Sequence, residues 1–229
     1  MTLYAFASRL EFAGVFPDVI SPDAADEAVL NKVIPLGVHG KPVGNAVILG
    51  IGLLEFATNL SRILSRKDEL GISSVVLVGI CGAYRNSCLS VGQVVRVDTE
   101  IVGDLGVQEK DGSFVAWSSV SGGKIVRYEA APAQKAPRWV ASLRGASGIS
   151  VNCCTGTELL AQTRSALFDC DVESMEGAAC FAVCRVFDVP AYEVRGISNL
   201  VGDRDKSSWR VSEALASLRD CIISGFSAG

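Results

Sequence analysis

The stretch Val172-Glu173-Ser174-Met175-Glu176-Gly177-Ala178-Ala179-Cys180-Phe181-Ala182-Val183-Cys184, continued by Val189-Pro190-Ala191-Tyr192-Glu193-Val194-Arg195-Gly196-Ile197-Ser198-Asn199, sets a helical pattern directly against a strand pattern. Apolar residues recur at three- and four-residue steps as far as Phe187, which predicts a helix over Met175 to Phe187 opened by Glu173 and Glu176. Ala191 to Ile197 reads as a buried strand closed by Ser198 and Asn199. Acidic residues at a helix start are explained equally by capping against the helix dipole, so Glu176 alone does not announce a site.

The same alternation extends outward. Leu3 to Ala7, Ala46 to Ile51, Ser74 to Ile80, Val91 to Ile101 and Ile149 to Cys153 read as further strands. Amphipathic helices are predicted from Ile51 to Gly71 and from Ser207 to Ile223, with Ser207 or Ser208 as the cap of the latter. Periodicity therefore predicts an α/β layered domain spanning 1–229 around a mostly parallel sheet. The Val38-His39-Gly40-Lys41 segment reads as a hairpin turn, and 103–137, with Asp111-Gly112 as a turn signal, as a hairpin and loop over a site.

Composition removes several classes. The chain has 229 residues, 49% of them hydrophobic, and a formal net charge of -4 without any basic stretch, which argues against nucleic acid or anionic lipid as partner. The longest apolar runs are about half of the roughly 20 residues a transmembrane helix needs. With no basic, apolar leader at Met1 to Phe6, the expected compartment is the cytoplasm, and the eight cysteines are read chiefly as packed thiols. They form no C-x-x-C and His39 is the one histidine, so no metal and no histidine-based triad is expected. Triphosphate and dinucleotide loops are also missing, since Gly50-Ile51-Gly52 lacks the third glycine of the fingerprint.

What remains is a set of polar residues at the ends of apolar runs, where ligands of open α/β sheets gather: Glu11, Glu173, Glu176, Arg195, Ser198 and Asn199. Val172 to Ala179 followed by Arg195-Gly196-Ile197-Ser198-Asn199 resembles the V-E-x-M-E-(A/G)-A-A … R-x-I-S-(D/N) signature of the purine nucleoside phosphorylase and nucleosidase superfamily. The Gly50 to Gly52 turn and the Gly79 to Ala83 segment, with Gly79 and Gly82, look like that family's glycine loops. Cys154-Thr155-Gly156-Thr157 and Ile197 to Asp205, ending at Trp209, are most similar to the futalosine hydrolase subgroup.

The resemblance implies a three-layer α/β/α nucleoside phosphorylase-like fold with a mixed central sheet, and hydrolysis of futalosine to hypoxanthine and dehypoxanthine futalosine within menaquinone biosynthesis. It implies Glu11 as the water-activating base, Met175 and Glu176 on the ribose, and Asn199, Ser198 and Cys154 at the base. Asn offers a donor and an acceptor to a 6-oxopurine, where adenine-releasing relatives carry Asp. Asn199 cannot protonate N7, which leaves a water-borne proton or an anionic leaving base. Thr155, Thr157 and Arg204 are expected at the substrate rim, and Arg195 as a clamp on Glu173 or the catalytic loop, or simply as a buried ion pair. Leu77 and Ile80 stand where phosphorylases bind phosphate, which favours water as nucleophile. No cofactor is required, the partner is a small nucleoside, and a homodimer or larger homo-oligomer is expected. Adenine release would mark a methylthioadenosine, adenosylhomocysteine or aminodeoxyfutalosine nucleosidase instead, and no release a non-catalytic ligand-binding member of the fold.

Overall fold

The computed structural model describes residues 1–19 and 30–227. Strands β1 (Thr2–Phe6), β3 (Lys41–Ile48), β4 (Ser74–Ala83) and β11 (Ala191–Leu200) run parallel in the middle of a mixed sheet, in the order β3, β1, β4, β11. Beyond β11 the direction reverses. β5 (Val94–Val102) is antiparallel to β11, and β9 (Arg144–Ser150) and β10 (Val172–Ser174) follow it in parallel. β10 then pairs antiparallel with the far end of β4, Val172 opposite Ala83 and Glu173 opposite Gly82, so this part of the sheet closes on itself. β2 (Ile34–Val38) forms a hairpin with β3, while β8 (Tyr128–Glu129) adds to β5. β6 (Gly106–Gln108) and β7 (Phe114–Ala116) form a separate ribbon.

The sheet is mixed, as the resemblance implied, and less parallel than periodicity alone suggested. The reversal has a local cause: Gly92, at φ +83°, turns the chain before β5, and its N–H donates to Ile197 O at 2.8 Å. The strand expected from Val91 consequently starts at Val94. β9 also lies earlier than the expected Ile149 to Cys153, because Gly145 and Gly148 interrupt the apolar pattern of its first half.

Helices cover both faces. α1 (Arg9–Val15) and α5 (Val211–Ser227) bury Phe12, Leu215, Leu218 and Ile222 against Phe6, Val76 and Val194. On the other face α2 (Leu53–Leu64) and α4 (Gly177–Val186) bury Phe56, Leu60 and Phe181 against Leu3, Val47 and Leu77. Each such Leu or Phe contributes roughly 1.5–3 kcal/mol by leaving water. α3 (Glu158–Phe168) packs Ala161 and Phe168 against Ile149 and Val151 of the closed part.

Helix boundaries differ from expectation for identifiable reasons. α2 stops at Leu64 and a separate turn, Lys67–Leu70, leads to Gly71. α4 starts at Gly177, so Glu173 belongs to β10 and Glu176 is the N-cap residue. Ser207 and Ser208 sit in a single turn capped by Asp205, whose carboxylate takes the Ser207 N–H at 2.9 Å, and α5 begins only at Val211. His39 (φ +49°) and Gly40 (φ +75°) form the two-residue β2–β3 turn. No helix among the described residues is long and apolar enough to cross a membrane.

Candidate active site

A cavity of about 300 Å³ opens where β4, β10 and β11 end, walled by Glu11, Cys154, Met175, Glu176, Asn199 and Trp209 among others. Its polar groups are delivered by three local devices. The first is the start of α1. Ser8 caps the helix by accepting the Glu11 N–H, and the Glu11 carboxylate returns to the Ser8 N–H at 3.1 Å and its hydroxyl at 2.9 Å. The other Glu11 oxygen accepts the Ile80 N–H at 3.0 Å. Burial, reinforced by the charge of Glu176, raises the Glu11 pKa above the ordinary carboxylate value, although Arg195, Ile80 and Ser8 pull the other way. A carboxylate with such a raised value is suited to take a proton from water.

The second device is the junction of the glycine turn with α4. Gly52, at φ +88°, turns its N–H onto Glu176 Oε1 at 3.1 Å, a backbone setting that a side chain would strain. Glu176 Oε2 accepts from Arg195 Nη2 at 3.3 Å. Arg195 is almost fully buried and also donates to Glu193 at 2.7 Å, the Ser174 hydroxyl at 3.3 Å and Ile80 O at 3.2 Å. Burial works against its charge, but Glu193, Glu176 and Glu11 outweigh it and hold the guanidinium protonated. Arg195 therefore clamps Glu176 and the β4 glycine segment, not Glu173. That segment is itself strand, not loop: Gly79 lies within β4, where a Cβ would meet Glu11 Oε1 at 2.5 Å and Arg195 Nη1 at 2.6 Å.

The third device is a bulge in β11. Register with β4 shifts between Ile197 and Asn199, which turns Ser198 and Asn199 toward the same end of the cavity. Asn199 Nδ2 donates to Leu200 O at 3.0 Å, and its oxygen accepts from the Ser198 hydroxyl at 2.8 Å. One amide hydrogen and one lone pair of Asn199 are left for a ligand. Gly82 lies beneath, where a Cβ would meet Val201 at 2.8 Å and Asn199 at 3.2 Å.

Glu173 is held by a group that sequence reasoning missed. It accepts from the Tyr84 hydroxyl at 2.7 Å, the Thr155 N–H at 2.7 Å and hydroxyl at 2.6 Å, and Arg164 at 3.1 Å. Arg164 is a buried cation between Ala161 and Phe168 on the inner face of α3, and that spacing was its available signal. Ser8 was legible too, as the S-x-x-E box just after the first strand.

The rim candidates fall in different places. Thr155 lines the cavity, but its hydroxyl is engaged with Glu173. Thr157 caps α3, accepting the Leu160 N–H at 3.2 Å, and lies off the cavity. Arg204 is exposed away from it, tied through its N–H to Gly156 O at 3.2 Å. No residue of 103–137 lines the cavity; Leu105, Trp117 and Lys124 line a separate groove of about 290 Å³ instead. Cys154 does line it, as a thiol whose pKa burial raises. Among the described residues no three His, Cys, Asp or Glu side chains are grouped to hold a metal ion.

Residues 36–222 match the family model described as the phosphorylase superfamily. The futalosine hydrolase of Streptomyces coelicolor is 31% identical over 153 residues, 65% of this chain and 63% of that protein, so the match spans less than two thirds of its length. The futalosine hydrolase of Thermus thermophilus is 30% identical over 179 residues, 76% of each chain. Among solved structures, a Helicobacter pylori futalosine hydrolase aligns with a TM-score of 0.71 at 17% identity, covering 100% of this chain and 97% of that one. A 5'-methylthioadenosine/S-adenosylhomocysteine nucleosidase of the same organism gives 0.70 at 17% identity, covering 100% and 98%. At such identities these two likenesses establish the fold.

Proposed function

The chain belongs to the phosphorylase superfamily, and we propose that within it this protein is a nucleosidase that hydrolyses the N-glycosidic bond of futalosine and releases hypoxanthine. The observation that carries the reading is the meeting of Glu11, Met175, Glu176 and Asn199 in one cavity. Glu176, held by Gly52 and Arg195, accepts the ribose hydroxyls and favours positive charge growing on the sugar ring. Met175 packs its thioether on the ribose, and Glu11 takes a proton from the attacking water. Asn199 donates its free amide hydrogen to O6 and accepts from a protonated N7, a pairing that a carboxylate cannot make with a 6-oxopurine.

Water is the nucleophile because the wall beside Glu11 is apolar. Ile80 reaches the cavity with a hydrocarbon side chain that cannot compensate a phosphate dianion, and Leu77 is buried in the core under α2 and α4. The Trp209 indole offers a flat face to the benzoate ring of the substrate. The protein works in the cytoplasm as a homodimer or larger homo-oligomer, with Leu10 and Ile51 at the cavity, 60% and 55% exposed, available for cover by a second copy.

Incubation with futalosine, aminodeoxyfutalosine, methylthioadenosine and inosine, each with and without phosphate, tests this by chromatography of the products. The expected result is hypoxanthine from futalosine at a rate indifferent to phosphate. Adenine as the main product, or dependence on phosphate, overturns it.

A further inference from the structure

Behind Arg195 lies a second pair of carboxyl groups for which the chemistry above has no use. Glu100 of β5 and Glu193 of β11 are both fully buried. Each has one oxygen accounted for: Glu193 Oε1 accepts from Arg195 Nε at 2.7 Å, and Glu100 Oε2 from the Ser150 hydroxyl at 2.8 Å. The other two, Glu193 Oε2 and Glu100 Oε1, have no hydrogen-bond partner. Both close on the same point, since a Cβ built on Gly177 at the start of α4 would collide with each of them. Gly148 of β9 clears the other side of Glu100 Oε1 in the same way.

An ionised carboxylate only accepts, so two ionised groups here would leave two buried acceptors facing one another. One proton turns one of them into a donor and satisfies both. The surroundings decide where it sits. Glu193 has the Arg195 guanidinium to stabilise its charge. Glu100 feels the Arg195 charge without a hydrogen bond to it, and is hydrogen-bonded to Ser150, whose single hydroxyl proton is already directed at Oε2 while its oxygen takes the Ala178 N–H at 2.8 Å.

We propose that Glu100 is a neutral acid donating its proton to Glu193 Oε2, and that it is a positioning residue: by fixing Glu193 it keeps Arg195 on Glu176. The positioning role rests on the reading of Glu176 as the ribose-holding group. With Glu100 ionised, a further negative charge beside Glu193 would draw the guanidinium away from Glu176. The thiols facing the pair carry no compensating charge. Cys81 from β4 and Cys170 before β10 are thiols that burial pushes up to about 12, and the hydrogen bond with Cys184, together with burial, raises Cys180 of α4 as well. Tyr128 lies opposite Glu100 on β8, with Arg185 over its ring. Burial first, and the charge of Glu193 second, raise the Glu100 pKa well above the ordinary carboxylate value.

Infrared spectroscopy of the whole protein, carrying carboxyl-labelled glutamate, tests the proton directly. A protonated-acid carbonyl band sensitive to the label is expected at neutral pH, retained in Glu11→Gln and lost in Glu100→Gln. If Glu100→Gln does not fold, Glu193→Gln must remove the band instead, because its amide donates to Glu100 Oε1 and lets Glu100 ionise. A wild-type spectrum without the band, or a band surviving the substitution made, overturns the proposal.

Stability gives a second readout. A raised folded pKa contributes stability that is fully present below the ordinary Glu value of 4.5 and lost as pH rises through the folded value. The wild-type Tm should therefore fall relative to that of Glu100→Gln as pH increases, and parallel curves count against the shared proton. For positioning, KM for the nucleoside should rise on the alkaline side in the wild type and at higher pH in Glu100→Gln, and an unmoved limb overturns that role. The infrared and Tm readouts need no substrate, so they stand whether or not futalosine is cleaved.

Discussion

With its nitrogen on Leu200 O and its oxygen on the Ser198 hydroxyl, the Asn199 amide cannot flip without setting two carbonyl-type oxygens against each other. The donor and acceptor left for a base are thereby fixed in place. Asn199→Asp replaces that donor by an acceptor and should shift the ratio of hypoxanthine to adenine release by roughly 5- to 150-fold toward adenine, about 1 to 3 kcal/mol for one mismatched buried polar group. Competition between futalosine and its 6-amino analogue measures it, and an unchanged ratio removes Asn199 from base recognition. At Glu11 the loss should be in turnover: Glu11→Gln lowers kcat by roughly 10²- to 10⁴-fold with a small effect on KM. Because burial and Glu176 raise its pKa, the acid limb of the wild-type kcat profile should lie above the ordinary Glu value of 4.5. Glu11, Glu176 and Asn199 stood out because each is a polar residue at the end of a local apolar run, whereas Met175 was singled out only by the family resemblance. Arg164 and Tyr84 were not legible, since their shared partner Glu173 lies on another element and only the fold brings them together.

At the scale of elements, a helix start and a strand end cooperate to aim one carboxylate. Ser8 caps α1 and donates to Glu11 from its backbone and its hydroxyl, while β4 supplies the Ile80 N–H. Ser8→Ala should cost about 1 kcal/mol of stability, as a lost N-cap typically does. It should also move the acid limb of activity upward, because the Ser8 hydrogen bond lowers the Glu11 pKa and its loss lets the value rise further. Denaturant melts and a pH–rate profile check the two halves separately, and a limb that stays put would detach Ser8 from the chemistry. The parallel strands β1, β4 and β11 and the helices α2 and α4 were readable from the sequence, since each strand is a mostly apolar run and each helix repeats its apolar residues at three- and four-residue steps. The three-residue β10 was not, being too short to show a pattern, and of the glycine-interrupted β9 only the end at Ile149 and Ser150 was.

Across the molecule, the closed part of the sheet is what sequence reading had no means to supply. Closure depends on the pairing of β10 with β4 and on the reversal at β5, which are matters of register, not of residue pattern. It places Glu11, Glu176 and Glu193 around one cation, Arg195, which ties β11 to β4, β10 and the start of α4. Arg195→Met keeps the bulk and removes the charge, leaving buried carboxyl groups uncompensated. Breaking a buried pair in this way costs about 3–5 kcal/mol, which for a chain of this size corresponds to a fall in Tm of roughly 6 to 20 °C. The sign of its pH dependence follows from the groups that remain. Arg195 lowers the pKa of both Glu193 and Glu11, so without it their folded values rise further. The deficit against wild type should then be largest at neutral and alkaline pH and shrink as pH falls toward the ordinary Glu value of 4.5, where both chains carry protonated carboxyls. Calorimetric melts of the two proteins across that range decide the matter: a deficit independent of pH would mean that Arg195 holds the closed sheet by packing alone, and that the carboxyl groups around it are already neutral.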